Sequence, residues 1–503
     1  MSEVLDLFVV GGGINGAGIA CDATGRGLKV GLCEMNDFAS ATSSASSKLI
    51  HGGLRYLEHY EFRLVRESLM EREVLLAKMA HIAWPLRFVL PHEPHLRPAW
   101  MLRLGLFIYD HLNLGMKLPK TETVDLARSP YGAGLNPGFR KGFVYSDGWV
   151  DDARLVIGNL RSARDRGAAI HARHRCVSAR RVDGLWRVEL EEIATGRRAS
   201  LRARGLVNAS GPWVKSWLDS VEGVATRKRV KLVKGSHIVV PRLHDGDHAF
   251  ILQNSDQRIV FVIPYERDFS LIGTTDIALD GAEPGPVTIS PEEITYLCDL
   301  SNHYMARTIT PADVSWSYSG VRPLFDDGSD DPSAVTRDYV LEVADEAGKA
   351  PLLSVFGGKI TTYRRLAEHA LEDLRGYYPT MGEAWTHREP LPDGEMPYAD
   401  FELFISGLEK AYPGMSPVFL HRLARRHGAG SAELLGEAKT VEDLGRHFGG
   451  DLYEREADHL MRHEWAQEPE DVLWRRTKEG LHMSPAEREA FAEWMRTRRR
   501  NEA

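Results

Sequence analysis

Two histidines stand where a side chain could take a proton: His51, shortly before Arg55 and Tyr56, and His237, in a Lys-Gly-Ser-His run at the head of an apolar strand. A neutral imidazole is the natural proton acceptor near pH 7. Fixed cations that could accompany them are Arg55, close to His51, and Arg258, Arg322 and Lys359 further along the chain. Arginine presents a planar fork that fits phosphate, and lysine a more mobile point charge. A base together with several cations suits an alcohol that carries a phosphate. His237 ranks first as base and His51 second. Arg322 could also stabilise a developing alkoxide electrostatically. Arg55, Tyr56, Arg258, Arg322 and Lys359 form the expected substrate-binding set. Arg322 is expected in a stiff turn after a strand at 316–319.

Such chemistry needs an electron acceptor, and the N-terminal segment that ends at Glu34 supplies a place for one. A short apolar strand, residues 5–10, runs into Gly11-Gly12-Gly13-Ile14-Asn15-Gly16, which contains G-x-G-x-x-G at Gly11, Gly13 and Gly16. The first glycine permits a tight turn, the second lets backbone approach a pyrophosphate, and the third lets helix pack on strand. A helix to Gly25 and a second strand, 28–33, end at Glu34, 34 − 13 = 21 residues after Gly13. An acid at that spacing accepts hydrogen bonds from the ribose hydroxyls of an adenosine. The fingerprint alone recognises the ADP half that FAD and NAD share.

Further cofactor contacts are expected from a run of small and hydroxyl residues: Thr42, Ser43, Ser44, Ser46, Ser47, Lys48, Leu49, His51, Gly52 and Gly53. Hydroxyls and free amides there can wrap a ligand directly after the ribose acid. Ala209 and Gly211 follow a predicted strand. Gly357, Gly358, Lys359, Ile360, Thr361 and Thr362 follow another, and their turn opens a helix whose free amides would face the rest of the cofactor.

Residues 41–57, with the opening fingerprint and the stretches 145–155, 205–214, 234–238, 272–276, 319–324 and 356–363, closely resemble the aerobic, FAD-dependent glycerol-3-phosphate dehydrogenases, within the wider glycine/D-amino-acid-oxidase-like flavoprotein group. The resemblance covers essentially the whole chain. It implies FAD as cofactor, oxidation of sn-glycerol 3-phosphate to dihydroxyacetone phosphate, and a membrane quinone as the final acceptor. Rival readings are an oxidase that reduces dioxygen, an amine or amino-acid oxidase, and a flavin-binding module without turnover.

These residues must be carried by several elements, and 503 residues are too many for one ordinary core. The expected class is α/β, or α+β multidomain. A discontinuous Rossmann-like FAD-binding domain takes 1–70, 145–215 and 320–385. An antiparallel-sheet substrate domain takes 71–144 and 216–319, with β-rich runs between 231 and 275. After a linker at 390–394, a charged helical domain fills 390–503.

With 43% hydrophobic residues, 27% charged residues and a net charge of −8, the chain is globular and carries no general affinity for nucleic acid. Cys21, Cys33, Cys176 and Cys298 lie far apart, so neither a disulfide framework nor a metal site is indicated, and a reducing cytoplasm fits. No secretory signal or membrane-spanning run is evident, so membrane contact is expected to be peripheral, at the cytoplasmic face. Candidate surfaces are the basic runs at 423–426, 474–478 and 496–500 and the apolar stretch 100–116, although charged helices are usually only solvated. A homodimer is compatible with the sequence.

Overall fold

The computed structural model describes residues 3–502 apart from 95, 114, 116, 255–257, 282 and 327–337. The opening strand, Val4–Val10, pairs in parallel with Val30–Glu34 on one edge and with Arg198–Asn208 on the other. Enclosed on both edges and covered on both faces, it reads as a nearly continuous apolar run, with Leu7, Phe8 and Val9 fully buried. The sheet runs Tyr339–Glu346, Lys349–Gly357, Arg198–Asn208, Val4–Val10, Val30–Glu34, Ala169–Ala172. The antiparallel strands His174–Val182 and Leu185–Glu192 extend it from the free end of Arg198–Asn208.

Helix Ile14–Gly25 packs on this sheet so closely that glycine is required inside it. A Cβ on Gly16 would lie 2.0 Å from the Gly11 carbonyl oxygen, and one on Gly18 would lie 2.7 Å from the Tyr363 ring of helix Tyr363–Leu374. The cost of glycine in a helix is offset here by interhelical contact.

The second sheet has ten strands, mostly antiparallel, in the order Ile277–Leu279, Val230–Pro241, Phe269–Gly273, Ile259–Tyr265, Ala249–Gln253, Ala83–Pro91, Lys141–Val150, Leu49–Ile50, with Trp316–Phe325 and Glu122–Asp125 attached to its sides. Residues 49–50 and 141–150 thus pair within this sheet, although the sequence suggested a place for much of them with the nucleotide domain. Arg322 lies inside strand Trp316–Phe325 and not in a turn. Pro323 is tolerated because that strand hydrogen-bonds to a neighbour, Val230–Pro241, on one edge.

The C-terminal region is built from helices Phe401–Ala411, Pro417–His427, Ser431–Leu435, Glu454–His463 and Pro485–Glu502, a π turn at Asp471–Arg476 and a small hairpin. The stretch 390–394 that leads into it is packed in place. Leu391 is buried, Asp393 pairs with Arg161, and the Asp393 carbonyl accepts from Ala429 N–H.

Two of the three basic runs turn inward instead of forming a lipid-facing surface. Arg425 lies over the rings of Trp84 and Phe401, and Arg426 is buried against Glu456 and Glu479. Arg475 and Arg476 both reach Asp37. In the third run, Arg496, Arg498 and Arg499 each pair with a carboxylate. Among the described residues no helix is long and apolar enough to cross a membrane.

Candidate active site

A cavity of about 1230 Å³ runs between the two sheets. It is larger than the usual range for small-molecule sites, roughly 300–1000 Å³. Three segments build its nucleotide end. Gly11, in a left-handed conformation with φ +112°, has no room for a side chain: a Cβ would lie 2.5 Å from the Ala209 carbonyl oxygen. Glu34 accepts from Gly12 N–H at 2.8 Å and from Asn36 N–H at 2.9 Å, which fixes its carboxylate at the cavity wall. Burial raises its pKa. Cys33, His174, Cys176 and Trp217 complete this end.

The middle of the cavity is the hydroxyl segment. Ser43 Oγ accepts from Ile14 N–H at 3.0 Å at the start of the first helix, where backbone donors lack partners. Thr42 Oγ1 donates to the Val321 carbonyl at 2.5 Å and so ties the segment to the second sheet. Asn15 Nδ2 donates to the Gly357 carbonyl at 3.2 Å, and Asn15 Oδ1 is buried without a partner among the described residues.

The far end holds the reactive side chains. His237 stacks on Tyr318, its cross-strand partner, with ring centroids 4.8 Å apart. Its Nε2 lies 2.9 Å from Ser47 Oγ, and Tyr318 in turn donates to the Ser46 carbonyl at 2.8 Å. On the opposite flank Gly273 makes room, since a Cβ there would meet the imidazole at 2.1 Å. Burial, and then the charges of Arg322 and Lys48, hold the His237 pKa well below its ordinary value, which favours the neutral ring.

Arg322 Nη2 donates to the Thr275 carbonyl at 2.9 Å and pairs with Asp276 at 2.6 Å. Gly235 leaves the space it needs, because a Cβ there would lie 2.5 Å from Nη2. The sequence Lys234-Gly235-Ser236-His237 therefore sets two site residues at once. Ser236 and Lys234 anchor it through Glu293, each at 2.8 Å.

Lys359 Nζ sits over the Tyr56 ring at 4.3 Å. Tyr56 occupies space that a side chain at Gly53, φ +77°, would fill. His51 is bound to the same turn through its N–H, 3.3 Å from Thr361 Oγ1, and burial lowers its pKa too. Beneath these residues lies a buried network. Arg72 pairs with Asp147 at 2.7 Å, Tyr109 donates to Asp147 at 2.7 Å, and Gly52 N–H donates to Tyr109 at 2.9 Å.

The cavity gathers most of the residues expected from sequence: Gly11, Gly13, Ile14, Asn15, Glu34, Thr42, Ser43, Ser46, Ser47, Leu49, His51, Gly53, Tyr56, Ala209, Gly211, His237, Arg322 and 357–361. Others stand behind its wall. Gly16 packs on Gly11, Gly52 is held by Tyr109, Thr362 is buried, and Ser44 serves Lys48 through its carbonyl. Lys48 turns away to pair with Asp152 at 2.6 Å. Arg258 lies over the Tyr296 ring at 4.1 Å and is not among the residues that line the cavity, although its neighbour Ile259 is. Arg55 belongs to the turn Leu54–His59, and its side chain lies outside the described residues.

Sequence reasoning missed Tyr318, Gly273, Gly235 and the Asp147 network. Only pairing register reveals the first two. The third was visible as glycine between a lysine and a serine, with no sign of what filled the space. A second cluster, His427, His459 and Glu464, draws its ligand atoms within 4.8 Å of one another. Glu464 there is the counter-charge of Arg154 and Arg161, and the cluster joins the C-terminal region to helix Asp152–Asp165.

The residues present fit FAD: a glycine turn that excludes Cβ, a fixed ribose carboxylate, an unpartnered amide oxygen beside the turn, and a cavity long enough to run on to a substrate end. The sequence matches the family model described as FAD dependent oxidoreductase over residues 6–364. It is 54% identical over 492 residues to D-erythritol 1-phosphate dehydrogenase of Brucella abortus, covering 98% of each chain. It is 53% identical over 493 residues to aerobic glycerol-3-phosphate dehydrogenase of Escherichia coli, covering 98% of this chain and 97% of that one. The structure resembles that of glycerol-3-phosphate dehydrogenase from Bacillus halodurans complexed with FAD, with a TM-score of 0.78 and 26% identity, over 98% of this chain and 90% of that one.

Proposed function

This chain belongs to the FAD dependent oxidoreductase family, and we propose that it oxidises sn-glycerol 3-phosphate to dihydroxyacetone phosphate. The observation that carries the reading is the pairing of a buried, neutral His237 with Arg322 at one end of a cavity whose other end fits an adenosine. Bound FAD supplies the acceptor for the hydride that leaves the carbinol carbon. The protein's own work is proton handling and placement. His237 takes the hydroxyl proton, with its ring held by Ser47 and Tyr318. Arg322 and Lys359 bind the phosphate and favour charge developing on oxygen. His51 is the alternative base.

The identity to an erythritol phosphate dehydrogenase favours a second reading, in which the preferred alcohol has four carbons. Both substrates combine a phosphate with a secondary hydroxyl, so the same base and cations serve either.

Electrons then pass to a membrane quinone. Helix Ala99–His111 supports a peripheral contact, because Trp100, Leu104 and Phe107 are half or more exposed while Met101, Leu102, Leu104 and Ile108 line the cavity. The free cysteines support a reducing compartment.

Anaerobic mixing of the FAD-loaded protein with a panel of polyols and polyol phosphates tests the reading. Rapid bleaching by glycerol 3-phosphate is expected, with free glycerol inert. Faster bleaching by erythritol phosphate would select the second reading, and bleaching by amino acids alone would refute both. Reoxidation by quinone, and sedimentation with anionic vesicles that is lost in Trp100→Ser and Phe107→Ser, test the acceptor and the contact.

A further inference from the structure

The match to the family model ends at residue 364, yet the C-terminal region beyond it contacts Asp37, three residues after Glu34 of the cavity wall. Its π turn, Asp471–Arg476, sends two guanidinium groups onto one buried carboxylate. Arg476 binds Asp37 through both arms, at 2.7 and 2.8 Å, and Arg475 adds a third bond at 2.5 Å. Arg476 and Asp37 are essentially without solvent exposure. The turn is itself fastened. Asp471 accepts from Gln467 and Glu468 N–H at 2.8 and 2.9 Å and pairs with Arg173 at 2.9 Å, and Arg476 also donates to the Glu464 carbonyl at 2.8 Å.

Asp37 lies three residues after the ribose carboxylate Glu34, and its neighbours touch the phosphate turn. Phe38 packs where a side chain at Gly12 would lie, 2.5 Å from the built Cβ, and Trp465 holds the Phe38 ring edge-on at 5.3 Å. Ala39 N–H donates to the Gly12 carbonyl at 3.2 Å, while Gly12 N–H donates to Glu34 at 2.8 Å. The segment 34–39 is thus a bridge between Gly12 and the C-terminal π turn. A bidentate arginine–carboxylate pair fixes orientation as well as distance, which a single lysine would not do.

We propose that Arg475 and Arg476 are positioning residues for the cofactor: through Asp37 and Phe38 they hold Gly12 and Glu34 in the conformation that binds the adenosine half of FAD. Retention of FAD therefore depends on the C-terminal region, although none of its described residues lines the cavity. π turns recur at functional sites, and this one spends its distortion on presenting two consecutive arginines to one carboxylate. The proposal rests on FAD as cofactor and is independent of the substrate.

FAD is removed and titrated back while protein and flavin fluorescence are followed. Arg476→Gln is expected to weaken FAD binding by about tenfold or more, since it removes the bidentate partner of a buried carboxylate near the ribose site and leaves only the single Arg475 contact. Asp37→Asn is expected to weaken binding as well. In Asp37→Asn/Arg476→Gln, where neither charge remains, the loss is expected to be smaller than the product of the two single losses. A lock that only joined domains would lower the melting temperature of the FAD-free and FAD-loaded proteins equally. The positioning role instead requires the rise in melting temperature on adding FAD to shrink. If Arg476→Gln does not fold, Arg475→Gln, at the more exposed arginine, carries the same test. Unchanged FAD affinity in the folded variant, with an undiminished FAD-dependent rise in melting temperature, overturns the proposal.

Discussion

Replacing Gly273 by alanine separates the position of His237 from its chemistry. The built Cβ lies 2.1 Å from the imidazole Cδ2, well inside the 3.4 Å at which ordinary contact begins, so the ring must move or the strand pair must open. Tyr318, stacked 4.8 Å away, and Ser47, 2.9 Å from Nε2, restrict retreat. A displacement of about 1 Å in a catalytic constellation costs on the order of 10²-fold. Loss of the base altogether costs about 10²–10⁴-fold. Gly273→Ala is therefore expected to slow anaerobic flavin reduction by roughly 10²-fold while FAD stays bound. In a His237→Ala background the ring is gone and the methyl has nothing to displace, so the second substitution should cost almost nothing more. Stopped-flow absorbance of the two single variants and the double variant gives the coupling directly. A wild-type rate in Gly273→Ala, or an equal loss with and without the imidazole, would refute the assignment.

Arg322→Ala removes a charge-assisted contact of about 1.5–3 kcal/mol, which lowers kcat/KM for the phosphorylated substrate by roughly 10- to 150-fold in steady-state assays. Arg72→Met leaves Asp147 buried without its counter-charge and should destabilise the fold by about 3–5 kcal/mol, measurable as a lower midpoint in urea. Acid should also destabilise the protein. His81 and His237 are held well below the ordinary imidazole pKa, and His244 and His248 are lowered to about 3 and about 4, in each case chiefly by burial. The unfolded chain then binds more protons, so stability falls as the pH drops below about 6.5. All four groups act in the same direction, so their contributions add. Chemical denaturation at pH 7.5 and 5.5 checks the sign, and equal midpoints would exclude it.

The nucleotide end was legible because its demands are local. A turn that excludes Cβ must be glycine, and the ribose carboxylate, Glu34, must lie at the end of the next strand. Both follow from one βαβ unit. The substrate end is not local. His237 and Arg322 could be named from residue type within the stretches that carry the family resemblance, but Tyr318 faces His237 only through the register of two strands far apart in the chain, and Gly273 through a third strand. Arg258 carried the same chemical signal as Arg322 and ended over Tyr296, because a charge in sequence carries no direction. The run 474–478 failed for a related reason. Clustered arginines look like a surface until Asp37, the buried carboxylate near the opposite end of the chain that neutralises them, is placed beside them.

If bound FAD takes a hydride from a phosphate-bearing alcohol while His237 takes the proton, the two transfers can be followed separately. Anaerobic stopped-flow reduction of the bound flavin by glycerol 3-phosphate, with hydrogen or deuterium at C2, tests this assignment most directly. The expected result is complete bleaching, one dihydroxyacetone phosphate per flavin, a slower rate with deuterium, and a rate that collapses in His237→Ala. Bleaching that is insensitive to deuterium and to His237, or no bleaching at all with intact FAD bound, would contradict it.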